Sequence, residues 1–449
     1  MITYFALFLI IYSSLITPSC SKSIIKTLPG YPGDLPFTLE TGYIGVGKKE
    51  EVQLFYYFVE SSRNPEKDPI IFHVCGGPGA SGLLVMLVNT GPLILNTDDL
   101  TLTLNPHSWT QVANMVFVDI LAGNGFSYSE TEEGWRNSDT ILVAEASEYI
   151  RKFMSDHPKF LSNPLYMSGI SYSGIVTPKI TLELYEGNER GEQPTLNLQG
   201  YILCSPLMDR FKTYNSKFEA AYRMALISDY IYKSGIQNCN GNYVDINLAN
   251  GVCAKSLQSY EECTSHIKMN NILEAYCDLS NQNCEEACNK AVNKWANREV
   301  AQEALNVRKG MIRQYQVVNT TWHYYQGMND TIYYSYDIFS SFPHHKKLRT
   351  KNCRALIFNG DHDLSFPYVG VEGWIASIDF KVEAPWKPYY VQDQVGGYEI
   401  KYSLNNYTLA YATVKGAGHV VPQDKPTQAV ALVGTWLSSQ TYSSVSDLR

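Results

Sequence analysis

Charge is scarce in this chain of 449 residues: Asp, Glu, Lys and Arg make up 18% of it, where an average soluble domain has about 25%. It holds no dense Lys/Arg run, and 36 basic residues against 44 acidic ones leave a net charge of −8. Neutralising phosphates takes clustered positive charge, so no nucleic-acid partner is expected. Beyond the amino terminus no stretch approaches the ~20 apolar residues of a membrane-crossing helix. No two cysteines stand at Cys-x-x-Cys spacing, which argues against a structural zinc site, and no metal or cofactor is expected. Fixed-period repeats and low-complexity tracts are absent as well. What is abundant is apolar and aromatic: 45% hydrophobic residues, among them 33 tyrosines, enough to bury a large core.

One apolar run opens the chain. Phe5 to Ile16 (FALFLIIYSSLI) has the length of a signal-peptide core, and the small residues Ser19, Cys20 and Ser21 follow it. No Lys or Arg precedes the run, so the amine of Met1 supplies the only positive charge there. A secretory signal over residues 1–22 is the expectation, with a membrane anchor or a buried helix as alternatives. Such a leader sends the mature chain into the secretory pathway, to the vacuole or the extracellular space, with no stable membrane insertion after its removal. Cysteine usage agrees with an oxidising compartment. Six cysteines crowd into one segment, Cys239, Cys253, Cys263, Cys277, Cys284 and Cys288, which reads as local disulfide stapling. Cys75, Cys204 and Cys353 lie elsewhere. Asn319, Asn329 and Asn406 head N-x-S/T sequences, which accept glycans but also arise by chance in a chain this long.

Before residue 205, short apolar runs end in glycine-rich turns and lead into longer stretches of helical period. Pro69–Cys75 runs into Gly76-Gly77-Pro78-Gly79, Asn114–Ile120 into Leu121-Ala122-Gly123-Asn124-Gly125, and Pro164–Ser168 and Gly200–Cys204 repeat the pattern. Buried strands alternating with helices predict an α/β fold around a central, mostly parallel sheet. From Asp209 to Asp337 the chain turns Asn/Lys/Glu-rich, helical and cysteine-laden. Arg354–Asn359 and Thr408–Val414 then resume the strand pattern. The economical reading is one core, residues 23–208 and 338–449, interrupted by a helical insertion at 209–337. A separate helical domain between two small ones is the alternative.

Three sites carry chemistry. Ser171, in Gly169-Ile170-Ser171-Tyr172-Ser173-Gly174, follows a strand and precedes a helix, where a tight turn pushes the hydroxyl outward. Alone this is weak, because most G-x-S strings are turns. Asp363 ends Gly360-Asp361-His362-Asp363 after one strand, and His419 ends Lys415-Gly416-Ala417-Gly418-His419 after another. Each has a bland reading, a turn former and a surface histidine. Jointly, in the chain order Ser…Asp…His and each at a strand's end, they predict the triad of an α/β hydrolase. The glycine-rich loop at 76–79 has a place in that scheme. Its backbone N–H groups, with that of Tyr172, suit a developing oxyanion, whereas the bland reading is a turn needing positive φ.

The chain resembles the serine carboxypeptidase-like proteins. The matching segments run nearly end to end: LPGYPGDLPFTLETGYIGV (28–46), CGGPGASGL (75–83), LNPHSWTQVANMVFVD (104–119), GNGFSYSE (123–130), SGISYSG (168–174), NLQGYILCSPLMD (197–209), ISDYIY (227–232), FNGDHDLSFP (358–367) and GAGHVVPQDKP (416–426). The resemblance implies an α/β-hydrolase fold with a helical, cysteine-rich lid, Ser171 as nucleophile, Asp363 as orienting acid and His419 as base. It further implies Gly77 and Tyr172 as oxyanion donors, Cys75, Gly76 and Ile170 against the substrate, and a Cys239–Cys253 disulfide.

The departures bear on activity. Peptidases of the family hold a substrate's free carboxylate with an asparagine before the double glycine, a glutamate two residues before a later Gly-Pro, and a glutamate before the nucleophile. Here those positions are Cys75, Asn89 and Ile170, which cannot form a shared-proton carboxyl pair. The other branch, plant acyltransferases that use 1-O-β-glucose esters, is similar in its amino-terminal segment and its ISDYIY-to-cysteine-rich lid. It usually keeps an acid where Ile170 stands. Ala80 replaces a family cysteine, and Val317 and Val318 occupy the region of its expected partner, so one staple is missing at both ends. The expected function is acyl transfer from a glucose ester to an alcohol through a serine acyl-enzyme. Carboxypeptidase or other serine hydrolase action, and a silent binding protein, are the alternatives. Without the carboxyl pair, activity should follow deprotonation of His419 and be lost below about pH 6–7. A pH–rate profile peaking near about pH 4–5 would contradict this.

Overall fold

The computed structural model describes residues 22–246, 249–275, 285–309 and 333–439. The central sheet takes eleven strands in sequence: β1 Ser23–Ile25, β2 Leu39–Val46, β3 Val52–Val59, β4 Ile70–Val74, β5 Asn114–Asp119, β6 Leu165–Ile170, β7 Leu198–Cys204, β8 Arg354–Gly360, β9 Lys381–Val391, β10 Gln394–Leu404 and β11 Tyr407–Val414. Their order across the sheet is β1-β2-β3-β5-β4-β6-β7-β8-β11-β10-β9, with the short pair Tyr128–Ser129 beside β3. From β5 through β4, β6, β7 and β8 to β11 every pairing is parallel; the flanking pairs are antiparallel.

Side-chain alternation explains how one sheet carries two cores. In β3, Leu54, Tyr56 and Phe58 enter the core on one face, while Phe55, Tyr57 and Val59 enter the other. All eight residues of β3 and all six of β5 are buried, as strands covered on both faces require. Helices α1 Gly82–Val88, α2 Asp139–Asp156 and α3 Ser173–Glu189 follow strands of the first half. Ser138 caps α2, its side chain accepting from the Ile141 N–H.

The register fixes where function lies. Ile170 pairs with Cys204, Cys204 with Phe358, and Gly360 with Val414, so β6, β8 and β11 end along one edge. In parallel α/β sheets that carboxyl edge is where loops assemble sites.

Between β7 and β8 come helices α4 Arg210–Arg223, α5 Asp229–Asn238, α6 Gly251–Thr264, α7 Glu285–Ala296 and α8 Glu299–Ala304. A Cys239–Cys253 disulfide ties the end of α5 to the start of α6. The expected stapling does not extend to Cys263, which is exposed and unbonded. Ten residues past the buried Cys253 on the same helix, it is rotated onto a different face. Cys277, Cys284, Asn319 and Asn329, like the leader through residue 21, lie outside the described residues. Asn406 is exposed, in the turn between β10 and β11. No helix among the described residues is long and apolar enough to cross a membrane.

Candidate active site

Ser171 sits between β6 and α3 with φ of +61°, a left-handed conformation that costs a serine energy and so needs support. The support is local. Ser171 N–H donates to the Cys204 carbonyl at 3.0 Å, and its own carbonyl accepts from Gly174 and Leu207 N–H at 3.0 and 2.9 Å. The turn thus sets the hydroxyl at the amino-terminal end of a 17-residue helix, whose dipole favours negative charge there.

The 76–79 loop lies against this serine. A Cβ built on Gly76 would stand 2.7 Å from the Ile170 carbonyl and 2.9 Å from the Ser171 Cβ, and Gly77 has φ of +116°. Both positions therefore need glycine, for different reasons. Gly76→Ala should displace the loop from Ser171 and lower kcat about 10²-fold with the fold retained. Steady-state rates alongside a melting curve check this.

Behind the loop, buried Asp119 at the end of β5 acts as its anchor. One carboxylate oxygen accepts from the Ser81 hydroxyl and the Gly82 N–H (2.8 Å), the other from the Phe126 N–H (2.9 Å) and the Tyr57 hydroxyl (3.2 Å). Burial pushes its pKa up to about 6 against the pull of these donors. Sequence reasoning passed Asp119 over, although an acid closing an apolar strand before a glycine-rich loop was the available signal.

On the facing side, His419 Nδ1 lies 2.7 Å from Asp363 Oδ2, both groups being buried. The second Asp363 oxygen accepts from the Ser365 and Phe366 N–H groups at 2.8 and 3.1 Å. The neighbouring acid is occupied differently: Asp361 accepts from the Gly416 N–H at 2.7 Å and faces the His362 ring. Gly360 lets these loops meet, since a Cβ there would fall 2.1 Å from the Gly418 carbonyl. The inserted segment joins them: the Asn270 carbonyl accepts from His419 N–H at 2.6 Å, and that of Met269 from Leu364 and Ser365 N–H at 2.9 and 3.0 Å. Nothing in the sequence marked Met269 or Asn270 for this role.

A second link between the insertion and the Ser171 turn is ionic. Buried Arg210 stands 3.6 Å from Asp139 and donates to the Tyr172 hydroxyl at 2.9 Å. Tyr172 and Tyr334 both donate to Asp139, the latter at 2.7 Å. Burial raises the Asp139 carboxyl above its usual range despite these partners.

Ser171, His419, Gly76, Gly77 and Tyr172 line one cavity of about 410 Å³, within the range of small-molecule sites. Cys75, Asn89, Ile170 and Ala80, the positions that depart from the family pattern, line the same cavity. Cys75 is buried, with Sγ 3.5 Å from the Ser81 carbonyl, and burial with the nearby Asp119 charge raises its pKa well, so it stays a thiol. Val317 and Val318 lie outside the described residues. A larger cleft of about 640 Å³ beside α2 and α3 holds none of these residues.

The sequence profile of serine carboxypeptidases matches residues 29–439. The chain belongs to that family. Among curated relatives, the Arabidopsis thaliana proteins serine carboxypeptidase-like 13 and serine carboxypeptidase-like 3 are 40% and 39% identical over 425 residues, 94% of this chain and 95% and 93% of theirs. Among solved structures, Kex1(delta)p, a prohormone-processing carboxypeptidase from Saccharomyces cerevisiae, superposes with a TM-score of 0.71. It is 18% identical, covering 90% of this chain and 92% of that one. The serine carboxypeptidase fold is an α/β hydrolase, and the sheet order, the disulfide and the carboxyl-edge site described above are this member's version of it.

Proposed function

We propose that this family member is an acyltransferase, taking an acyl group from a 1-O-β-glucose ester and giving it to an alcohol through an acyl-enzyme on Ser171, beneath a lid formed by residues 209–337. The observation that carries the reading is the cavity wall. Where a peptidase of the family would hold a peptide's terminal carboxylate with an asparagine and two glutamates, Cys75, Asn89 and Ile170 stand around Ser171. Elsewhere the wall offers neutral hydrogen-bonding groups, Asn270, Asn289, Ser365 and Gln423, which suit sugar hydroxyls. The buried Asn89 side-chain oxygen has no partner among the described residues.

In this scheme His419, oriented by Asp363, removes the Ser171 proton as the oxygen attacks the ester carbonyl. The N–H groups of Gly77 and Tyr172 hold the oxyanion, each worth about 3–4 kcal/mol in comparable sites. The carbonyl–glucose bond breaks, and His419 passes its proton to the departing sugar oxygen. The acceptor hydroxyl then loses its proton to His419 and attacks the acyl-enzyme, releasing the ester and restoring the serine. Water must lose to the acceptor, so exclusion by the lid and the apolar Ile170 matter. The disulfide and exposed Asn406 suit a secretory-pathway protein of the vacuole or extracellular space. Incubation with acyl-glucoses and a panel of alcohols is expected to yield new esters ahead of free acid. Brisk hydrolysis of C-terminally free peptides, with every glucose ester ignored, would overturn the reading.

A further inference from the structure

The described residues lining the catalytic cavity include no carboxylate and a single cation, Lys217 of α4. Lys217 hydrogen-bonds to no described protein atom and pairs with no described acid. Its ammonium rests 4.7 Å from the centre of the Tyr214 ring, a cation–π contact that gives its three N–H bonds no acceptor among the described residues. Burial lowers its pKa to about 8 against the opposing charge of Asp363, and that carboxylate is committed to His419. A lysine packed on an aromatic ring is often only a snorkelling side chain that covers apolar surface. That reading accounts for the stem. It leaves a half-buried cation that faces the cavity and pairs with no described acid, so an anionic group on a ligand would supply a counter-charge there.

Position narrows the ligand. Tyr214 contacts Phe366 with ring centres 6.5 Å apart, and Phe366 contacts His419 at 5.1 Å. Lys217 therefore sits on the histidine's side of the cavity, where a leaving group departs and an acceptor enters.

We infer that Lys217 is a specificity-determining residue that binds a carboxylate carried by the substrate portion on the His419 side. On the acyl-transfer reading, on which this assignment rests, that portion is a hydroxy acid acting as acceptor; a peptide's terminal carboxylate is the other source of the same chemistry.

Mandelate and mandelamide, near-isosteric molecules that carry a carboxylate and a neutral carboxamide respectively, make the test. Titration calorimetry on the full-length protein should show mandelate binding about ten- to a hundredfold more tightly than the amide. Lys217→Met should bring the ratio to about one, and Lys217→Arg should keep most of the preference. Lys217→Gln replaces Lys217→Met if the latter does not fold. Equal binding of the two probes by the unaltered protein, or a preference that survives Lys217→Met or Lys217→Gln, overturns the inference. With an acyl-glucose present, a raised KM for mandelate in Lys217→Met with kcat little changed places the carboxylate on the acceptor. Should no glucose ester react while a blocked dipeptide is hydrolysed with a KM that depends on Lys217, the carboxylate site stands and the acyl-transfer reading falls.

Discussion

Ser171→Ala is expected to lower kcat by about 10⁶-fold, leaving only what the oxyanion donors and substrate binding contribute by themselves. On the proposed mechanism one hydroxyl carries both halves of the reaction: without it no acyl-enzyme would form, and the acceptor would meet no activated carbonyl. Little else should change. Ser171 is held through its backbone, by bonds to Cys204, Gly174 and Leu207, none of which involves the hydroxyl. Alanine tolerates φ of +61° no worse than serine does, so the melting temperature should stay within a few degrees. Intact-protein mass spectrometry with a slow acyl donor provides the direct check: an adduct on Ser171 in the unaltered protein and none in the variant. Retention of more than about a hundredth of the activity would move the nucleophile elsewhere.

How much of this site was legible in the sequence follows from which interactions are local. Ser171, Asp363 and His419 were readable because each lies just past a strand whose composition announces it, and a parallel sheet carries all such ends to one edge. The partners that distant segments bring to a residue left no such trace. Asp119 meets Tyr57, Ser81 and Phe126 through three separate stretches, and Asp139 meets Arg210 across the insertion. Lys217 is one lysine among many until α4 is folded over the cavity. The antiparallel flanks were also missed. β9 is largely exposed, and Trp386 and Tyr398 of β9 and β10 stack on each other with ring centres 5.8 Å apart, near the surface. Such strands lack the continuous apolar runs that marked the centre of the sheet. The cysteines misled in part, because crowding in sequence says nothing of which helix face each occupies, as Cys263 illustrates.

Asp363→Asn should cost about 10⁴-fold in kcat, and the hydrogen bonds around the carboxyl dictate why. One oxygen receives two backbone N–H groups, from Ser365 and Phe366, while the other receives His419 Nδ1–H. An asparagine must put its amide nitrogen on one side or the other. Turned toward the backbone, the NH₂ would oppose two donors and leave buried N–H groups unsatisfied, a cost of about 1–3 kcal/mol each. The side chain therefore keeps its oxygen on the backbone and points NH₂ at the imidazole, which must answer with an unprotonated Nδ1. The ring proton then sits on Nε2, and the nitrogen that should take the Ser171 proton already holds one. Binding of substrate should be nearly unchanged, so kcat falls while KM moves little. Rescue by alkaline pH gives the second readout: a tautomer fault eases as hydroxide replaces the imidazole as base, whereas a merely unfolded site gains nothing. Activity within tenfold of the unaltered protein would mean that Asp363 does not orient His419 during turnover, and Asp361, 31% exposed and held by Gly416, would have to be tested in its place.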